Sequence, residues 1–362
     1  MKQKSKNIVF ISSIAWDYAW HRQQEIMYVL SNNGFKILFI EPVNKRKLSN
    51  IGMEKIKENL WVLHVTGLPY ERCFYFINFI NGKILNFFLR NFLKKIDFNN
   101  YTIWFDRIHG CDYSKFLSNY FVVYDLVDEI LAFGRFKNKK LLLNMENNVL
   151  KRCDLLLSSS KTLLNRKIKQ SGRDGENIFL PNGVDCHRFF LIDKKKLSNQ
   201  VVVGFVGTIS SRALDFALLQ SIFQLRPNWK FIFVGPSSFE EKKYLNSKNV
   251  IVLEAVEGKE IPKIISNFDV GIIPYNIEDE RMDYVFPRKA CEYLSAGIPV
   301  VSTPLKEIEI FKPYVRIANS PKNFVQEIEN VLYDNISFDE RRNFVKQFDW
   351  NILVNKLIDK IS

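Results

Sequence analysis

One stretch, DVGIIPYNIEDERMDYVFPRKACEYLSAGIPVVSTP at residues 269–304, constrains the fold more than any other part of the chain. It predicts a strand at Val270–Ile273, a charged loop, a helix that begins near Pro287 and is capped by Gly297, and a second strand at Pro299–Ser302. Such a unit is typical of a parallel α/β sheet, which binds ligands at the carboxyl ends of its strands. The loop before the helix is therefore the first candidate for a site.

The start of this helix has the chemistry of a phosphate site. Free N–H groups and the positive end of the helix dipole attract anions there. Lys289 lies in the first turn, and Glu292 follows about one turn later on the same face. A cation for phosphate beside a carboxylate for sugar hydroxyls predicts a nucleotide-sugar pocket.

The run PRKACEYLSAGIPVVST resembles the donor-site signature of GT-B glycosyltransferases, in particular glycosyltransferase family four, which build bacterial capsule, O-antigen and teichuronic-type polysaccharides. The usual form is Pro-x-Lys-x-x-Glu-Tyr-Leu-Ala-x-Gly-x-Pro-Val-Val. The matching positions are Pro287, Lys289, Glu292, Tyr293, Leu294, Gly297, Pro299, Val300 and Val301. The resemblance implies that Glu292 holds the ribose hydroxyls of a nucleotide.

One position departs from the family pattern. Many retaining members carry a second Glu eight positions before the first, near the transferred sugar, and this chain has Tyr284 there. Glu280 and Asp283 lie nearby but out of register. The resemblance implies transfer with retention, and Tyr284 weakens that part of the expectation.

The resemblance also implies the fold class: α/β, GT-B, with two Rossmann-like doubly wound parallel-sheet domains facing a cleft. A chain of 362 residues is long enough for two domains. We expect an acceptor-binding domain at 1–192, a donor domain at 199–345 and a C-terminal helix at 346–362 that crosses back to the first domain. The polar, lysine-rich segment 193–200 is the expected linker.

The loop after the first predicted strand, Asn7–Ser12, carries the candidate acceptor site. It has no G-x-G-x-x-G, which argues against a nicotinamide or flavin site. Trp16, Trp20 and Arg22 are the expected acceptor-binding residues, and Trp20 and Arg22 fall in a Trp-x-Arg-x-Gln pattern frequent in enzymes of this kind. The alternative for the tryptophans is that they only anchor the loop.

Four side chains are candidates for the acid–base chemistry. His21 and Asp17 lie in the first loop, and Asp128 and Glu129 follow a predicted strand at Phe121–Leu126. Each would serve as a general base or orient an acceptor hydroxyl. For Asp128 and Glu129 the alternative is a helix N-cap with an acid in the first turn.

The donor side of the prediction collects residues from three loops of the second domain. Glycines after strands let phosphate approach the backbone, and an arginine can grip a pyrophosphate in a fork. The helix after the first of these strands is predicted to begin near Ala213. The expected donor-binding residues are Gly207, Thr208, Arg212, Gly235, Tyr275, Arg281, Pro287, Arg288, Lys289 and Glu292.

No cofactor and no metal ion are expected. No D-x-D motif follows a strand, and the five cysteines (Cys73, Cys111, Cys153, Cys186, Cys291) are scattered without a C-x-x-C pair. Reduced thiols fit a cytoplasmic protein. The donor would be a UDP-, GDP- or dTDP-sugar.

The formal net charge of +13 favours anionic partners, although solubility and an AT-rich coding bias would also explain it. Lysines are scattered and no RNA- or DNA-binding motif is present, so nucleic acid is not an expected partner. The aromatic segment Phe74–Lys95 is either a core helix pair or an amphipathic surface on the inner face of the plasma membrane. A glycan or lipid-linked glycan is the expected acceptor.

The expected function is a metal-independent glycosyltransferase. Two alternatives stay open at this point. A sugar-nucleotide epimerase shares the architecture, and would turn over its sugar nucleotide without any acceptor. A non-catalytic, membrane-associated assembly subunit is the other, because Tyr284 stands in place of an acid.

Overall fold

The computed structural model describes residues 2–18, 20–42, 52–65, 67–68, 75–108, 119–133, 138–190 and 200–362. The chain divides into two compact units. Unit 1 comprises Met1–Pro181 with Leu353–Ser362, and unit 2 comprises Asn182–Ile352. Most of the expected linker, together with Cys73 and Cys111, lies outside the described residues.

Unit 1 is built on an eight-stranded sheet in the order β3-β4-β2-β1-β5-β6-β7-β8. All neighbouring strands run parallel except β3 and β4. The order reverses direction between β1 and β5, which is the topological switch point where doubly wound sheets bind ligands. The strands are β1 (Asn7–Ile11), β2 (Lys36–Ile40), β3 (Gly52–Lys57), β4 (Leu60–His64), β5 (Thr102–Phe105), β6 (Val122–Leu126), β7 (Leu155–Ser158) and β8 (Glu176–Phe179).

The helices of unit 1 lie between strands of the sheet along the chain, as connections between parallel strands usually do. Ser160 caps one of them by accepting a hydrogen bond from the Leu163 N–H, and Gly172 ends the same helix with a left-handed φ of 64°. The helices are α1 (Arg22–Asn32), α2 (Tyr75–Lys95), α3 (Ile130–Phe133), α4 (Lys139–Arg152) and α5 (Lys161–Ser171).

Unit 2 is built on a six-stranded, wholly parallel sheet in the order β11-β10-β9-β12-β13-β14. Numbered within the unit, this is the 3-2-1-4-5-6 order of a Rossmann sheet. The strands are β9 (Val202–Val206), β10 (Lys230–Val234), β11 (Val250–Leu253), β12 (Val270–Ile273), β13 (Val300–Ser302) and β14 (Val315–Ile317). The central strands β9 and β12 are fully buried, which explains their uninterrupted apolar runs.

Short helices surround this second sheet. The helices are α6 (Cys186–Phe190), α7 (Phe216–Leu225), α8 (Phe239–Tyr244), α9 (Ile261–Ile265), α10 (Arg288–Ser295), α11 (Pro321–Leu332), α12 (Phe338–Val345) and α13 (Trp350–Ile361). The last of these helices runs from unit 2 into the part of the chain that clusters with unit 1.

Residues 269–304 fold as their sequence predicts. The strand at Val270–Ile273 has the predicted bounds, and the second strand begins one residue later than predicted, at Val300. Pro287 directly precedes α10. Ala296 caps that helix and Gly297 follows it with a left-handed φ of 73°, so the glycine stands one residue beyond the predicted cap.

Two predicted elements need correction, and one strand was not predicted. The helix expected near Ala213 begins at Phe216, because the Asp215 side chain caps it by accepting from the Leu218 N–H. The segment Phe74–Lys95 was predicted to form either a helix pair or a surface helix, and Tyr75–Lys95 is one continuous helix. No helix among the described residues has the length and apolarity to cross a bilayer. Strand β3 was not predicted, because an edge strand of mixed charge lacks a buried alternation.

Candidate functional site

The candidate donor site lies at the carboxyl edge of the sheet of unit 2. Strands β9 and β10 end there in Gly207 and Gly235, whose backbones touch. A Cβ on Gly235 would stand only 2.0 Å from the carbonyl oxygen of Gly207. Gly235 also has a φ of +148°, which L side chains rarely adopt. Only glycine therefore fits at the end of β10, where the Gly207 N–H donates to the Val234 carbonyl at 2.9 Å and the Gly235 N–H donates to the Leu253 carbonyl at 3.1 Å.

Lys289 reaches this edge from the first turn of α10. A Cβ on Gly207 would lie 3.4 Å from Lys289 Cε, so the lysine stem crosses the backbone at the end of β9. The packing joins two residues that are far apart in sequence. A cation is thus held beside the glycine turn at the end of β9, and a cation near a helix N-terminus favours phosphate binding.

Glu292 is the buried carboxylate of the site, with 3% of its surface exposed. Its two oxygens contact Lys289 Nζ at 2.8 Å and Arg288 Nε at 3.1 Å. Burial opposes ionisation of this carboxyl, but the positive charges of Lys289, Arg288 and Arg188 outweigh it and lower the pKa of Glu292 below its usual value. The site therefore holds a charged acceptor of hydrogen bonds at neutral pH.

Tyr293, next to Glu292, fixes the helix on the sheet. Its hydroxyl accepts a hydrogen bond of 2.9 Å from the Val206 N–H, and its ring lies so close to Gly271 that a Cβ there would stand 2.5 Å from it. The tyrosine of the signature is thus a positioning residue. Tyr293 holds α10 at a fixed distance from β9 and β12.

Tyr275 follows β12 and borders the same place. Its pKa is raised chiefly by burial and also by the negative charge of Glu292. Its ring packs edge-on against Phe205 of β9, with 6.5 Å between the ring centroids. Thr303 donates a 2.9 Å hydrogen bond to the Tyr275 carbonyl and fixes the loop.

The two remaining arginines of the prediction differ in their partners. Arg281 makes a two-pronged contact with Asp279, in which Nε donates to Oδ1 at 2.7 Å and Nη2 donates to Oδ2, and Nη2 also donates to the Arg212 carbonyl at 3.3 Å. Arg212 is exposed, and among the described residues no carboxylate lies within salt-bridge distance of its guanidinium. Thr208 is exposed beside Gly207.

The loop where the family pattern has its second Glu contains acids that pair with cations. Lys306 Nζ contacts Asp283 at 2.7 Å, and Asp279 pairs with Arg281. The positive charge of Arg281 and its hydrogen bond lower the pKa of Asp279. Tyr284 lies at the end of the short 3₁₀ helix Glu280–Tyr284.

The predicted acceptor residues Trp16 and Trp20 lie at the carboxyl edge of the sheet of unit 1. Trp16 is buried, packs on Phe39 with ring centroids 5.1 Å apart, and donates its backbone N–H to Glu41 at 2.7 Å. Trp20 is 41% exposed and packs edge-on against Trp16. Trp16 thus anchors the loop, and the partly exposed Trp20 packs edge-on against Tyr28 as well, with ring centroids 5.9 Å apart.

Arg22 is buried under this loop. Its guanidinium makes a two-pronged ion pair with Asp125, with Nε–Oδ2 at 3.0 Å and Nη2–Oδ1 at 2.9 Å. Nη1 also donates to the carbonyls of Leu180 and Pro181 at 2.8 and 3.0 Å. These contacts favour a structural role, in which Arg22 ties α1 to β6 and to the end of unit 1.

The four predicted acid–base residues have different surroundings. His21 precedes α1, donates its backbone N–H to Gln24 at 3.1 Å, and stacks on Tyr18. Asp17 is exposed. Asp128 also has an exposed side chain, yet desolvation by the protein around it raises its pKa to about 6.

Glu129 instead belongs to a buried ionic triad. Lys167 Nζ lies 2.8 Å from Glu129 and 2.7 Å from Glu146, and all three side chains are buried. Burial raises the pKa of Glu146 despite the nearby lysine. The triad joins α4 and α5 to the start of α3, and these contacts favour the structural alternative for Glu129.

Asp106 is the residue that sequence reasoning missed. It follows β5 at the switch point of unit 1, and it accepts hydrogen bonds from the Ser13 N–H and hydroxyl, both at 2.7 Å, and from Gln23 Nε2 at 2.6 Å. Burial outweighs these hydrogen bonds and raises its pKa to about 6. Asp125 lies close enough to add to the shift. No motif surrounds Asp106, so only the parallel pairing of β1 and β5 reveals it.

Comparison with known proteins agrees with this architecture. Residues 200–334, which contain β9 to β14, match the family described as glycosyl transferases group 1. A sucrose-phosphate synthase from Thermosynechococcus elongatus superposes with a TM-score of 0.73 at 13% identity, over 98% of both chains. The chain has the GT-B fold and carries a group 1 glycosyl transferase domain. The predicted fold class is thus confirmed.

Two further proteins are similar to this chain in structure or in sequence. Anabaena HepE, solved in complex with UDP and glucose, superposes with a TM-score of 0.64 at 15% identity over 98% of both chains. TuaH of Bacillus subtilis, provisionally described as a teichuronic acid biosynthesis glycosyltransferase, is 31% identical over 240 residues. That match covers 61% of this chain and 59% of TuaH, which is less than two thirds of the relative. The predicted resemblance to GT-B glycosyltransferases of polysaccharide biosynthesis is confirmed.

Proposed function

We propose that this protein is a glycosyltransferase that moves a sugar from a nucleotide-diphospho sugar to a cell-surface polysaccharide or lipid-linked acceptor. The observation that carries the proposal is the pair Lys289 and Glu292. A buried, ionised carboxylate and a cation lie side by side over the bare glycine turn at the end of β9. The group 1 family match over the same residues supports it.

Each donor residue has a specific task in this proposal. Glu292 accepts hydrogen bonds from the ribose hydroxyls. Lys289 and the N-terminus of α10 neutralise the charge that develops on the departing diphosphate, and the exposed Arg212 adds a further positive charge. Catalysis is then chiefly placement and charge stabilisation, without a metal ion.

The acceptor binds, in this proposal, at the carboxyl edge of the sheet of unit 1. Trp20 offers an exposed aromatic face to a sugar ring, and Asp106 and Asp128 offer carboxyl groups with pKa values of about 6. Such groups can accept a proton from a hydroxyl near neutral pH. We propose transfer with retention, as the family resemblance implies.

The donor proposal is tested by a thermal-shift panel of UDP, GDP, dTDP and CMP with their common sugars. A ligand that binds only the folded chain stabilises it by about 2.7 kcal/mol at a hundredfold excess over its dissociation constant. We expect one nucleoside diphosphate family to raise the melting temperature. No shift from any member at millimolar concentration would contradict the proposal.

The matched variants are Glu292→Gln and Glu309→Gln. Glu309 forms an exposed pair with Lys312 at the same spacing of three residues, so it controls for loss of a charge in unit 2. We expect the nucleotide shift to disappear in Glu292→Gln and to persist in Glu309→Gln. An unchanged shift in a folded Glu292→Gln protein would remove this residue from the site.

A further inference from the structure

Unit 2 has a cavity at the carboxyl edge of its sheet, between the first turns of α7 and α11. Its volume is about 260 Å³. The walls come from α7, from the loops that follow β12 and β13, and from the turn between β14 and α11. They include Asp215, Leu218, Ile277, Pro304, Asn319 and Ser320. Of the described residues, none that is assigned to the candidate donor site lines this cavity.

The cavity lies on the other face of the sheet from α10, the helix that carries the donor signature. Helices α7 and α11 pack in one cluster with Ile272 of β12, whereas Tyr293 of α10 packs on the preceding residue, Gly271. Neighbouring residues of a strand point to opposite faces. At the edge, a 2.9 Å hydrogen bond from the Asp215 N–H to the Pro274 carbonyl joins the loops after β9 and β12. The cavity is therefore a separate place from the candidate donor site.

The cavity wall carries a carboxylate and, among the described residues, no cation. One Asp215 oxygen accepts the Leu218 N–H at 2.9 Å, and the other has no hydrogen bond or ion pair with a described residue. The first turns of α7 and α11 favour an anion, but a nearby carboxylate repels one. Because no lysine, arginine or histidine lines the described wall to offset that repulsion, a neutral ligand fits better than a phosphate.

The other polar groups of the wall are uncharged. The Ser320 hydroxyl accepts the Asn323 N–H at 3.3 Å, so its own proton is available to a ligand. The Ser221 hydroxyl donates to the Ala217 carbonyl at 2.9 Å, so its oxygen is available as an acceptor. Asn319 bonds to Asn323 through its backbone N–H, which leaves its side-chain amide for a ligand. The wall thus offers both donors and acceptors.

The rest of the wall is largely apolar and includes Leu218, Ile277 and Pro304. A sugar ring has the same mixed character, with apolar C–H faces and a rim of hydroxyls. The cavity is smaller than the roughly 300–1,000 Å³ of pockets for drug-sized ligands, so it suits one ring and not a nucleotide. Size, charge and lining together indicate a small, neutral ligand that is rich in hydroxyl groups.

We propose that this cavity binds one neutral sugar ring, either as a free sugar or as a residue of a glycan. The Asp215 carboxylate accepts hydrogen bonds from the sugar hydroxyls, which are stronger than bonds between neutral groups. Asn319 and Ser320 bind further hydroxyls, and Leu218 and Ile277 contact an apolar face of the ring. No nucleotide is needed, so the proposal goes beyond the transferase proposal and does not rest on it.

The test is saturation-transfer difference NMR of the full chain, titrated with glucose, galactose, mannose and N-acetylglucosamine and with their methyl glycosides. The variants are Asp215→Asn and Asn319→Ala. Asparagine also caps helices, so the first variant removes the charge and keeps the cap of α7. The control combines Asp339→Asn with Asn330→Ala, which are exposed residues of unit 2 outside the cavity wall.

We expect at least one of these sugars to bind the parent and the control equally well. Its affinity should fall by about tenfold or more in Asp215→Asn and by about twofold to tenfold in Asn319→Ala. Equal binding of the methyl glycoside would indicate a residue of a glycan, and binding of the free sugar alone would indicate a free sugar; both results uphold the site.

Three results would overturn the proposal. One is the absence of binding by every sugar, and another is an unchanged affinity in both variants. The third is tighter binding of glucose 6-phosphate than of glucose, because the helix N-termini would then outweigh the carboxylate and the cavity would be an anion site.

The Glu292→Gln variant separates this proposal from the transferase proposal. A sugar in the cavity should bind that variant as tightly as the parent, and UDP, GDP or dTDP should not displace it. Loss of sugar binding in Glu292→Gln, or displacement of the sugar by a nucleoside diphosphate, would place the sugar at the candidate donor site and overturn the assignment to the cavity.

Discussion

At the residue scale, Glu292 and Lys289 are proposed to bind different parts of the nucleotide. The carboxylate is assigned to the ribose and the ammonium to the diphosphate. A hydrogen bond to a charged group contributes about 1.5–3 kcal/mol, which corresponds to roughly tenfold to a hundredfold in affinity. The two residues should therefore respond differently to ligands that have or lack phosphate.

We expect Lys289→Gln to weaken binding of the nucleoside diphosphate by about tenfold to a hundredfold and to leave binding of the parent nucleoside nearly unchanged. Glu292→Gln should weaken both ligands by similar factors. Isothermal titration calorimetry of the two ligands with each variant measures this. Equal losses for both ligands in Lys289→Gln would show that the lysine does not act through phosphate.

The pH dependence of stability gives a second prediction at this scale, from Asp106. Its pKa of about 6 in the folded protein lies above the ordinary value of 3.8. The folded state therefore binds the proton more tightly, and stability should fall as the pH rises from about 4 to about 6. In Asp106→Asn this decline should be smaller.

Urea unfolding of both proteins across that pH range measures the effect. Asp174→Asn is a suitable control, because Asp174 lies in a turn of unit 1 away from the sheet edge. Parallel pH profiles for the parent and Asp106→Asn would show that Asp106 keeps an ordinary pKa when folded.

At the element scale, the close backbone contact between the ends of β9 and β10 restricts which residues the candidate donor edge can accommodate. A Cβ on Gly235 would collide with the Gly207 carbonyl at 2.0 Å, and backbone cannot move aside as a flexible side chain can. The strand ends must therefore separate to admit any side chain. That movement would also displace Lys289 from its place over Gly207.

We expect Gly235→Ala to lower the free energy of unfolding by about 2–3 kcal/mol or more and to abolish the nucleotide-induced thermal shift. Gly172→Ala is the matched control, since Gly172 has a φ of +64° but nothing within 4 Å of an added Cβ. It should cost only about 1 kcal/mol, from backbone strain alone. Chemical denaturation compares the two. Equal losses of unfolding free energy in the two variants would show that the Gly207 carbonyl moves aside from the added Cβ at no further cost in stability.

The elements also show what sequence could predict. The donor signature, the strands at Val270–Ile273 and Val300–Ser302, and the glycine after α10 follow from local patterns, because buried parallel strands need apolar runs and helix ends need specific residues. Strand β3, GMEKIK, was missed because it lies at a sheet edge and none of its residues is fully buried. Local pattern carries little signal at such a position.

The acceptor side of unit 1 was less predictable for a different physical reason. Asp106 is defined by hydrogen bonds from residues 83 and 93 positions away, and Arg22 by an ion pair with Asp125 across 103 positions. These partners meet only because β1, β5 and β6 are neighbours in the sheet. Sequence identified Arg22 as a functional candidate, and its buried contacts favour a role in tying α1 to the sheet.

At the scale of the whole molecule, the GT-B fold by itself does not separate a transferase from an epimerase or from a non-catalytic subunit. A site is needed, and each unit has one candidate: the candidate donor edge with fixed charges in unit 2, and an edge with carboxyl groups of raised pKa in unit 1. In the loop before α10, Asp279 pairs with Arg281 and Asp283 pairs with Lys306, so these two carboxylates are engaged in ion pairs.

The most direct test of the central claim is a turnover assay with the nucleotide sugar selected by thermal shift, run with and without a lipid extract as acceptor source. Nucleotide release and sugar identity are followed together by mass spectrometry. The account predicts release of the nucleoside diphosphate that depends on the extract and is lost in Glu292→Gln. Conversion of the donor into another sugar nucleotide without the extract, or binding with no turnover in any condition, would contradict it.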